Sequence, residues 1–211
     1  MAEPLIHVVD DDAALRASVA FLLESVGWEV VCHPDASSFL ANLDRSRPGC
    51  ALLDLRMPMM SGLELQRAMR ATAIDLPVIF LTGHGDVTVA VQAMKNGAID
   101  MLEKPFHDQA LIDAVSRAVG LCIATRESDT RRQALALRYE QLTPREREVA
   151  RLVGRGLPNK LVARTLVISE KTVHIHRAHV MGKLDVHSAA ELALLLSTLD
   201  PGFAAESDQR A

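Results

Sequence analysis

The stretch Leu5-Ile6-His7-Val8-Val9-Asp10-Asp11-Asp12 places three carboxylates directly after a short, mostly apolar run. Such runs are typical of strands that are covered on both faces of a parallel sheet. Four similar runs follow, at Glu29–Cys32, Cys50–Leu53, Pro77–Leu81 and Asp100–Glu103. A helix-length segment comes after each run: Ala13–Ser25, Ala36–Leu43, Leu63–Arg70, Val87–Asn96 and Asp108–Ala124. This order predicts an α/β fold with a doubly wound, five-stranded parallel sheet.

The rest of the chain has a helical pattern. The segment before Leu142 is polar and rich in Arg, and it has no Gly or Pro, which favours a helical linker over the alternative of a disordered tether. Thr143-Pro144-Arg145-Glu146 is a capping box with proline at the first helical position, and Ser169 and Ser188 cap two later helices. We therefore expect a small all-α four-helix domain. The expected divisions are a first domain, a linker, a second domain and a frayed tail, at residues 1–122, 123–141, 142–199 and 200–211.

Charge is divided unevenly between these parts. The whole chain of 211 residues has a formal net charge of −4, but residues 1–125 carry −7 and residues 126–211 carry +3. An acidic half joined to a basic half indicates two modules with different partners. Aromatic residues make up only 3%, which argues against a stacking platform for single-stranded nucleic acid.

Other protein classes are also disfavoured. The three cysteines are too few and too scattered for a disulfide framework or a zinc cluster. No apolar run reaches the roughly 18 residues of a transmembrane helix. We therefore expect a cytoplasmic protein with no membrane partner.

Acidic residues follow the first and third predicted strands. If these strands are neighbours, Asp10, Asp11 and Asp54 meet at one edge of the sheet, where ligands of such folds bind. Carboxylates this close repel one another unless a cation offsets their charge, and oxygen ligands suit Mg2+. Thr82 and Lys104 end the fourth and fifth strands at the same edge. Together these groups predict a phosphoryl-transfer site in which a carboxylate attacks the phosphorus atom.

Simpler interpretations apply to each residue alone. Acidic residues after a strand are commonly helix caps, as we expect of Asp12, and a lone Thr or Lys at a strand end is commonly just solvated. A magnesium-dependent phosphatase with Asp54 as nucleophile is a further alternative. It requires a second catalytic Asp two residues later, and the chain has Arg56 there.

The combined motifs resemble the receiver domain of bacterial response regulators. They are Val8-Val9-Asp10-Asp11-Asp12, Leu53-Asp54-Leu55-Arg56-Met57-Pro58, Leu81-Thr82-Gly83 and Glu103-Lys104-Pro105-Phe106. The resemblance covers roughly residues 4–122 and implies a flavodoxin-like fold. It also implies that Asp54 accepts a phosphoryl group from a sensor histidine kinase.

The resemblance further implies a role for each residue around Asp54. Asp11, Asp54 and the backbone carbonyl of Arg56 would bind Mg2+ or Mn2+ directly, and Asp10 would act through water. Arg56 and His84 would tune autodephosphorylation. We expect no enzyme activity beyond magnesium-dependent self-phosphorylation and autodephosphorylation.

Three more expectations concern the switch. By resemblance, Thr82 is the switch hydroxyl, Lys104 binds the phosphate, and the Lys104–Pro105 bond is cis. Receivers usually carry Phe or Tyr as a rotating switch residue in strand five, where this chain has Met101. A thioether repacks flexibly but does not rotate as a ring does, so the usual aromatic swing is in doubt here.

The third helix of the second domain, Glu170–Leu184, has two faces at about 100° per residue. Val173, Val180 and Leu184 form the expected buried stripe. The opposite face holds small, basic and methyl-bearing residues, which suit the major groove of DNA. The residues expected to contact DNA on or beside this face are Lys171, Thr172, His174, Ile175, His176, Arg177, Ala178 and Lys183, with Lys160 from the preceding helix.

This helix allows two other interpretations. It could be a solvated face of a small bundle, or its histidines could bind a metal. His174 and His176 lie about 200° apart on a helix and cannot chelate one ion together. His176 and His179 could, but two ligands make a poor site.

The second domain resembles the LuxR-type helix-turn-helix over Leu142–Leu196. The matching residues include Leu142-Thr143-Pro144-Arg145-Glu146, Gly156-Leu157-Pro158-Asn159-Lys160, Lys171-Thr172-Val173 and Lys183-Leu184. With the receiver motifs, this is most similar to the FixJ branch of the FixJ/NarL type. The basic residue typical after Ser188 is Ala189 here, so one expected contact is missing.

The resemblance implies a two-component transcription regulator. We expect phosphorylation to drive a homodimer through Val91, Met94, Lys95 and Ile99, and two tethered modules to bind double-stranded promoter DNA. RNA polymerase is a further candidate partner. A receiver whose helical domain binds RNA or protein instead is the remaining alternative.

Overall fold

The computed structural model describes residues 2–83, 87–200 and 203, with the side chains of residues 87–89 left out. The described chain forms two compact units, residues 1–126 and 127–211. The strands are β1 (Leu5–Val9), β2 (Glu29–His33), β3 (Gly49–Asp54), β4 (Val78–Thr82) and β5 (Asp100–Glu103). The helices are α1 (Ala13–Ser25), α2 (Ala36–Asn42), α3 (Gly62–Ala71), α4 (Val87–Lys95), α5 (Asp108–Glu140), α6 (Pro144–Gly154), α7 (Asn159–Leu166), α8 (Glu170–Leu184) and α9 (Ala189–Leu199).

The five strands form one parallel sheet in the order β2-β1-β3-β4-β5. The doubly wound parallel sheet is therefore confirmed. Its first and third strands are neighbours, with Val9 paired to Leu53, so Asp10 and Asp54 follow side by side at the carboxyl edge.

Hydrophobic clusters cover both faces of the sheet, because alternate residues of a strand point to opposite faces. Val9, Leu53 and Phe80 pack against α2, α3 and α4 on one face. Ile6 and Leu52 pack against α1 and α5 on the other. Since β1, β3 and β4 are buried along their whole length, their apolar runs are explained by this two-sided cover.

Polar caps fix where several helices begin. The carboxylate of Asp12 accepts from the backbone N–H groups of Ala14 and Leu15, so Asp12 is the expected cap of α1. Ser61 and Glu64 form a reciprocal capping box at the start of α3. These caps satisfy backbone N–H groups that the first turn of each helix leaves without a partner in the helix.

Helix α5 is 33 residues long and continues past the predicted end of the first domain. Residues 123–140, within the expected linker, are thus helical in the structure. Side chains from 127 to 134 are all exposed. This stretch keeps its helix without tertiary burial, consistent with its lack of Gly and Pro.

All the regular elements of the second unit are helices in the part of the chain that the structure describes, as predicted. Thr143 and Glu146 form the expected capping box of α6, and Ser169 and Ser188 cap α8 and α9. The core includes Val149, Val162, Val173, Val180, Leu184 and Leu192. Of the predicted tail, only Asp200 and Phe203 are described.

Candidate functional sites

Two buried carboxylates and one ammonium group meet at the carboxyl edge of the sheet. Nζ of Lys104 lies 2.6 Å from Oδ2 of Asp10 and 2.5 Å from Oδ1 of Asp54. The side chains of Asp10 and Asp54 are 1% and 10% exposed, while that of Lys104 is 21% exposed. The three strand ends thus assemble a compact charged cluster that solvent reaches mainly from the Lys104 side.

Backbone groups hold both carboxylates in place. The N–H of Asp12 donates to Oδ1 of Asp10 over 2.8 Å, and the N–H of Arg56 donates to Oδ2 of Asp54 over 2.7 Å. Each carboxylate therefore has one oxygen on a main-chain donor and the other on Lys104. This arrangement fixes the Asp54 side chain, as a reacting group requires.

Lys104 is positioned by β4 as well as by the carboxylates. Its backbone N–H donates to the carbonyl of Thr82 over 2.7 Å, and a cis peptide bond joins it to Pro105. Burial lowers the pKa of Lys104, but hydrogen bonds to Asp10 and Asp54 outweigh burial, so the net pKa is raised. The ammonium form is therefore retained, and it offsets the charge of two buried anions.

The structure brings only part of the predicted cation site together. Among the described residues, no three acidic, histidine or cysteine side chains converge as a metal-binding group. Asp11 is exposed, whereas Asp10 and Asp54 share Lys104. Paired carboxylate oxygens beside solvent nevertheless fit a hard divalent cation that keeps several waters, so the donor set suits Mg2+.

The predicted switch residues occupy different environments. Thr82 is buried at the end of β4, 4% exposed, directly beside the cluster. Met101 is half-buried in β5 and is paired with Phe80 of β4. Its side chain packs against the hydrophobic core on the face of the sheet that α2, α3 and α4 cover. Arg56 has an exposed side chain at the rim, and His84 lies outside the described residues.

The predicted dimer residues do not share one environment. Val91 and Met94 on α4 are 47% and 48% exposed, and Lys95 is exposed beside them. Ile99 is half-buried and packs into the core on the α1 and α5 face. Exposed apolar side chains are therefore present on α4, while Ile99 belongs to the core on the other face of the sheet.

Helix α8 presents the predicted polar face. Its buried stripe of Val173, Val180 and Leu184 is confirmed. The exposed residues on the opposite face are Lys171, His174, Ile175, Ala178 and Gly182. Lys160 is exposed at the start of α7. The helix therefore offers solvent a surface of charge, imidazole and methyl groups, with small residues between them.

Two flanking residues are held by neighbouring side chains. Nη1 of Arg177 donates to Oδ1 of Asn159 over 3.1 Å, which ties α8 to the start of α7. The hydroxyl of Thr172 lies 2.8 Å from that of Ser169 inside the cap of α8. His176 is half-buried between the two faces.

Lys183 is not simply a solvated cation. Its ammonium lies 2.6 Å from Oε2 of Glu146, a buried carboxylate that also closes the cap of α6 at Thr143. His179 lies 3.5 Å from the other oxygen of Glu146. Burial raises the pKa of Glu146, but Lys183 and Thr143 outweigh it and lower the pKa to about 2. Lys183 therefore joins α6 to α8 in addition to facing solvent.

Both units of the chain match known families. Residues 6–116 match the family described as the response regulator receiver domain, and residues 140–196 match the bacterial regulatory proteins of the luxR family. The chain belongs to the two-component response regulators of the FixJ/NarL type. A response regulator of this type regulates transcription, and the family is not one of classical enzymes.

Individual relatives match this response regulator over nearly its whole length. It is 44% identical to the transcriptional regulatory protein FixJ of Bradyrhizobium diazoefficiens, over 90% of this chain and 93% of that protein. It is also 44% identical to the tetrathionate response regulatory protein TtrR of Salmonella typhimurium, over 89% of each. The solved structure of response regulator StyR matches with a TM-score of 0.83 at 43% identity, covering 93% of this chain and 99% of that one.

The sequence patterns did not reveal every contact of the regulator. The link from Lys183 to Glu146 joins residues 37 positions apart, and the pattern of α8 alone places Lys183 toward solvent. The sequence predicted that Lys104 lies at the same edge of the sheet as Asp10 and Asp54, but it did not predict that the ammonium of Lys104 contacts both carboxylates.

No helix among the described residues is long and apolar enough to cross a membrane.

Proposed function

We propose that Asp54 is the phosphoacceptor of this response regulator and that a sensor histidine kinase is its donor. The observation that carries the proposal is the contact of Asp54 with Lys104 beside Asp10 at the carboxyl edge. The free oxygen electron pairs of Asp54 form the new O–P bond, the N–P bond of the phosphohistidine breaks, and its electron pair returns to the imidazole nitrogen. Small phosphodonors react by the same attack, which accounts for self-phosphorylation.

Charge compensation at this site has two sources. Lys104 places its ammonium where phosphoryl oxygens arrive. Asp10, Asp11, Asp54 and the backbone carbonyl of Arg56 would hold Mg2+ or Mn2+, which when bound offsets negative charge on those oxygens. Arg56, exposed at the rim, and His84, by resemblance to the receiver family, would tune the water that later removes the phosphoryl group.

Phosphorylation changes the charge of the cluster and so moves its neighbours. The added group carries about −1.5 to −2 charges if it titrates like other protein phosphates. We infer that Thr82 turns its hydroxyl toward the phosphoryl group and that Met101 repacks behind it. The α4 surface of Val91, Met94 and Lys95, together with Ile99, then forms the homodimer.

Helix α8 is the part proposed to bind the major groove of promoter DNA. Lys171, His174, Ile175 and Ala178 face the bases, and Lys160, Thr172, His176, Arg177 and Lys183 lie toward the phosphates. One module with few cations binds weakly, whereas two modules joined in a dimer gain effective concentration at paired half-sites. The protein would act in the cytoplasm, where it would also meet RNA polymerase.

Acetyl phosphate with Mg2+ tests the phosphoacceptor. Mass spectrometry should find one added phosphoryl group on the wild-type chain and on the Asp75→Asn variant, an exposed acidic control, but none on Asp54→Asn. Labelling of Asp54→Asn at the wild-type level would overturn the assignment.

Beryllofluoride tests the output. The treated wild-type chain should double its mass in light scattering and select a two-half-site duplex from a random pool. Lys171→Ala and His174→Ala should each weaken binding to the selected duplex about tenfold or more, and Lys160→Ala, which removes a cation proposed to lie toward the phosphates, should reduce the salt dependence by about one phosphate contact. Arg151→Ala, which removes a charge from α6, should change binding much less. Unchanged mass and affinity after treatment would contradict the proposal.

A further inference from the structure

Met59 is the most exposed large apolar residue reported in the described chain. Its side chain is 100% exposed, and its backbone has φ of 65°. This left-handed conformation is one that glycine adopts freely and other residues adopt at a cost in free energy. Met59 therefore combines an unfavourable backbone with a side chain that packs against nothing in its own fold.

The loop that carries Met59 begins and ends at the phosphoacceptor. The N–H of Gly62 donates to the carbonyl of Leu55 over 3.2 Å, and a Cβ added to Gly62 would overlap the carbonyl oxygen of Asp54. The N–H of Arg56 donates to the Asp54 carboxylate. The loop is thus closed tightly against the end of β3, on the same edge as the Asp54 carboxylate.

The same loop is fixed on both sides of Met59. Met57 is buried in the core before it, and the capping box of Ser61 and Glu64 begins α3 after it. The N–H of Met60 donates to the carbonyl of Pro58 over 2.7 Å. Met59 is therefore held at a defined place on the rim of the site, between the exposed Pro58 and the partly buried Met60, which packs against the core.

The stability of the fold does not explain this residue. Glycine or asparagine at position 59 would suit the backbone better, and no buried contact of the thioether compensates for the difference. A strained conformation that is kept without local compensation indicates a function for the residue. A flexible, polarizable thioether is suited to binding a protein surface.

We propose that Met59 is a docking contact for the phosphohistidine-bearing domain of the sensor kinase. This rests on the proposed function of Asp54. Because the Asp54 side chain is only 10% exposed, the donor phosphorus must enter past the rim, and a protein that carries it would cover the loop of Arg56, Pro58 and Met59. A small phosphodonor enters without touching that loop. Met59 is thus expected to affect transfer from the kinase and not the chemistry at Asp54.

The test compares Met59→Asn, which suits the backbone but removes the thioether, with Met59→Leu, which keeps an apolar side chain. Ala73→Asn is the matched control, because Ala73 is exposed and also has positive φ, 52°, but follows α3 at the opposite edge of the sheet. The probes are acetyl phosphate and the autophosphorylated cytoplasmic part of a purified histidine kinase, chosen as the fastest donor to the wild-type chain from a set of such kinases.

Met59→Asn should lower kcat/KM for transfer from the kinase about tenfold, mainly through KM, as expected for loss of a central contact. Met59→Leu and Ala73→Asn should stay within about twofold, and all three should react with acetyl phosphate at the wild-type rate. Unchanged kinase transfer in Met59→Asn would overturn the docking role, as would an equal loss with acetyl phosphate. Labelling of Asp54→Asn by acetyl phosphate would instead overturn the proposed phosphoacceptor.

Discussion

Nζ of Lys104 lies 2.5 Å from Oδ1 of Asp54, and the same ammonium contacts the more deeply buried Asp10. Replacing Lys104 with Gln leaves two adjacent carboxylates without this positive charge. We expect Lys104→Gln to lower the free energy of unfolding by about 1–2 kcal/mol, less than for a fully buried pair because Lys104 is partly exposed. Urea unfolding of the full chain at pH 7 and low salt measures this loss.

A second substitution tests whether repulsion between the carboxylates of Asp10 and Asp54 is the reason why Lys104→Gln lowers the free energy of unfolding. Asp54→Asn removes one of the two carboxylate charges, so Lys104→Gln should cost clearly less when Asp54→Asn is also present. Additive costs in this double-mutant cycle would mean that Lys104 does not act by offsetting the charge of Asp54.

Buried histidines give the first unit a dependence on pH. Nδ1 of His7 lies 3.1 Å from Nε2 of His33, both side chains are 2% exposed, and both rings contact Phe39. Burial and the neighbouring His33 and Arg47 lower the pKa of His7 to about 4, and burial lowers that of His33. Between this value and the ordinary pKa near 6.5, the unfolded chain binds more protons than the folded one, so stability falls as pH falls.

We expect the wild-type chain to lose about 1–2 kcal/mol of unfolding free energy from these rings between pH 7.5 and pH 5. The double variant His7→Leu/His33→Leu should lose correspondingly less over the same range in urea unfolding. His107→Ala, which removes an exposed histidine, should behave as wild type. An identical pH dependence in all three chains would show that the buried pair is not responsible.

The link of Glu146 to Lys183 should stabilise the helical unit. Glu146 closes the cap of α6, and its pKa of about 2 lies below its ordinary value, so its contribution is complete above about pH 4.5 and is lost as pH falls toward 2. At pH 7, Glu146→Gln should lower the free energy of unfolding by about 2 kcal/mol, after allowance for the exposure of Lys183. Glu148→Gln is the control, because its carboxylate is about half exposed and pairs only with Arg145 among the contacts described. Equal, small losses in both variants would contradict this role.

The order of the elements was predictable because the buried strands β1, β3 and β4 must be apolar almost throughout, while the helices need only one apolar face. The edge that gathers Asp10, Asp54, Thr82 and Lys104 followed from the parallel order. Contacts that depend on side-chain reach were not predictable in this way. Periodicity places Lys183 on a helix face but does not show that α6 supplies a buried carboxylate there. Likewise, the backbone angle of Met59 depends on how the loop closes over β3.

Val167 ends α7 in a left-handed conformation with φ of 55°, and its side chain is 89% exposed. A β-branched residue rarely adopts this conformation, and exposure gives the side chain no packing in return. Val167→Asn should therefore raise the free energy of unfolding of the helical unit by about 1 kcal/mol, because asparagine tolerates the left-handed region. Val167→Ala should give a smaller gain, since alanine keeps most of the backbone cost. Thermal unfolding of the full chain, followed by calorimetry, should show the Asn variant melting later in the transition of the helical unit. A lower Tm in Val167→Asn would mean that the valine makes a stabilising contact that its exposure does not reveal.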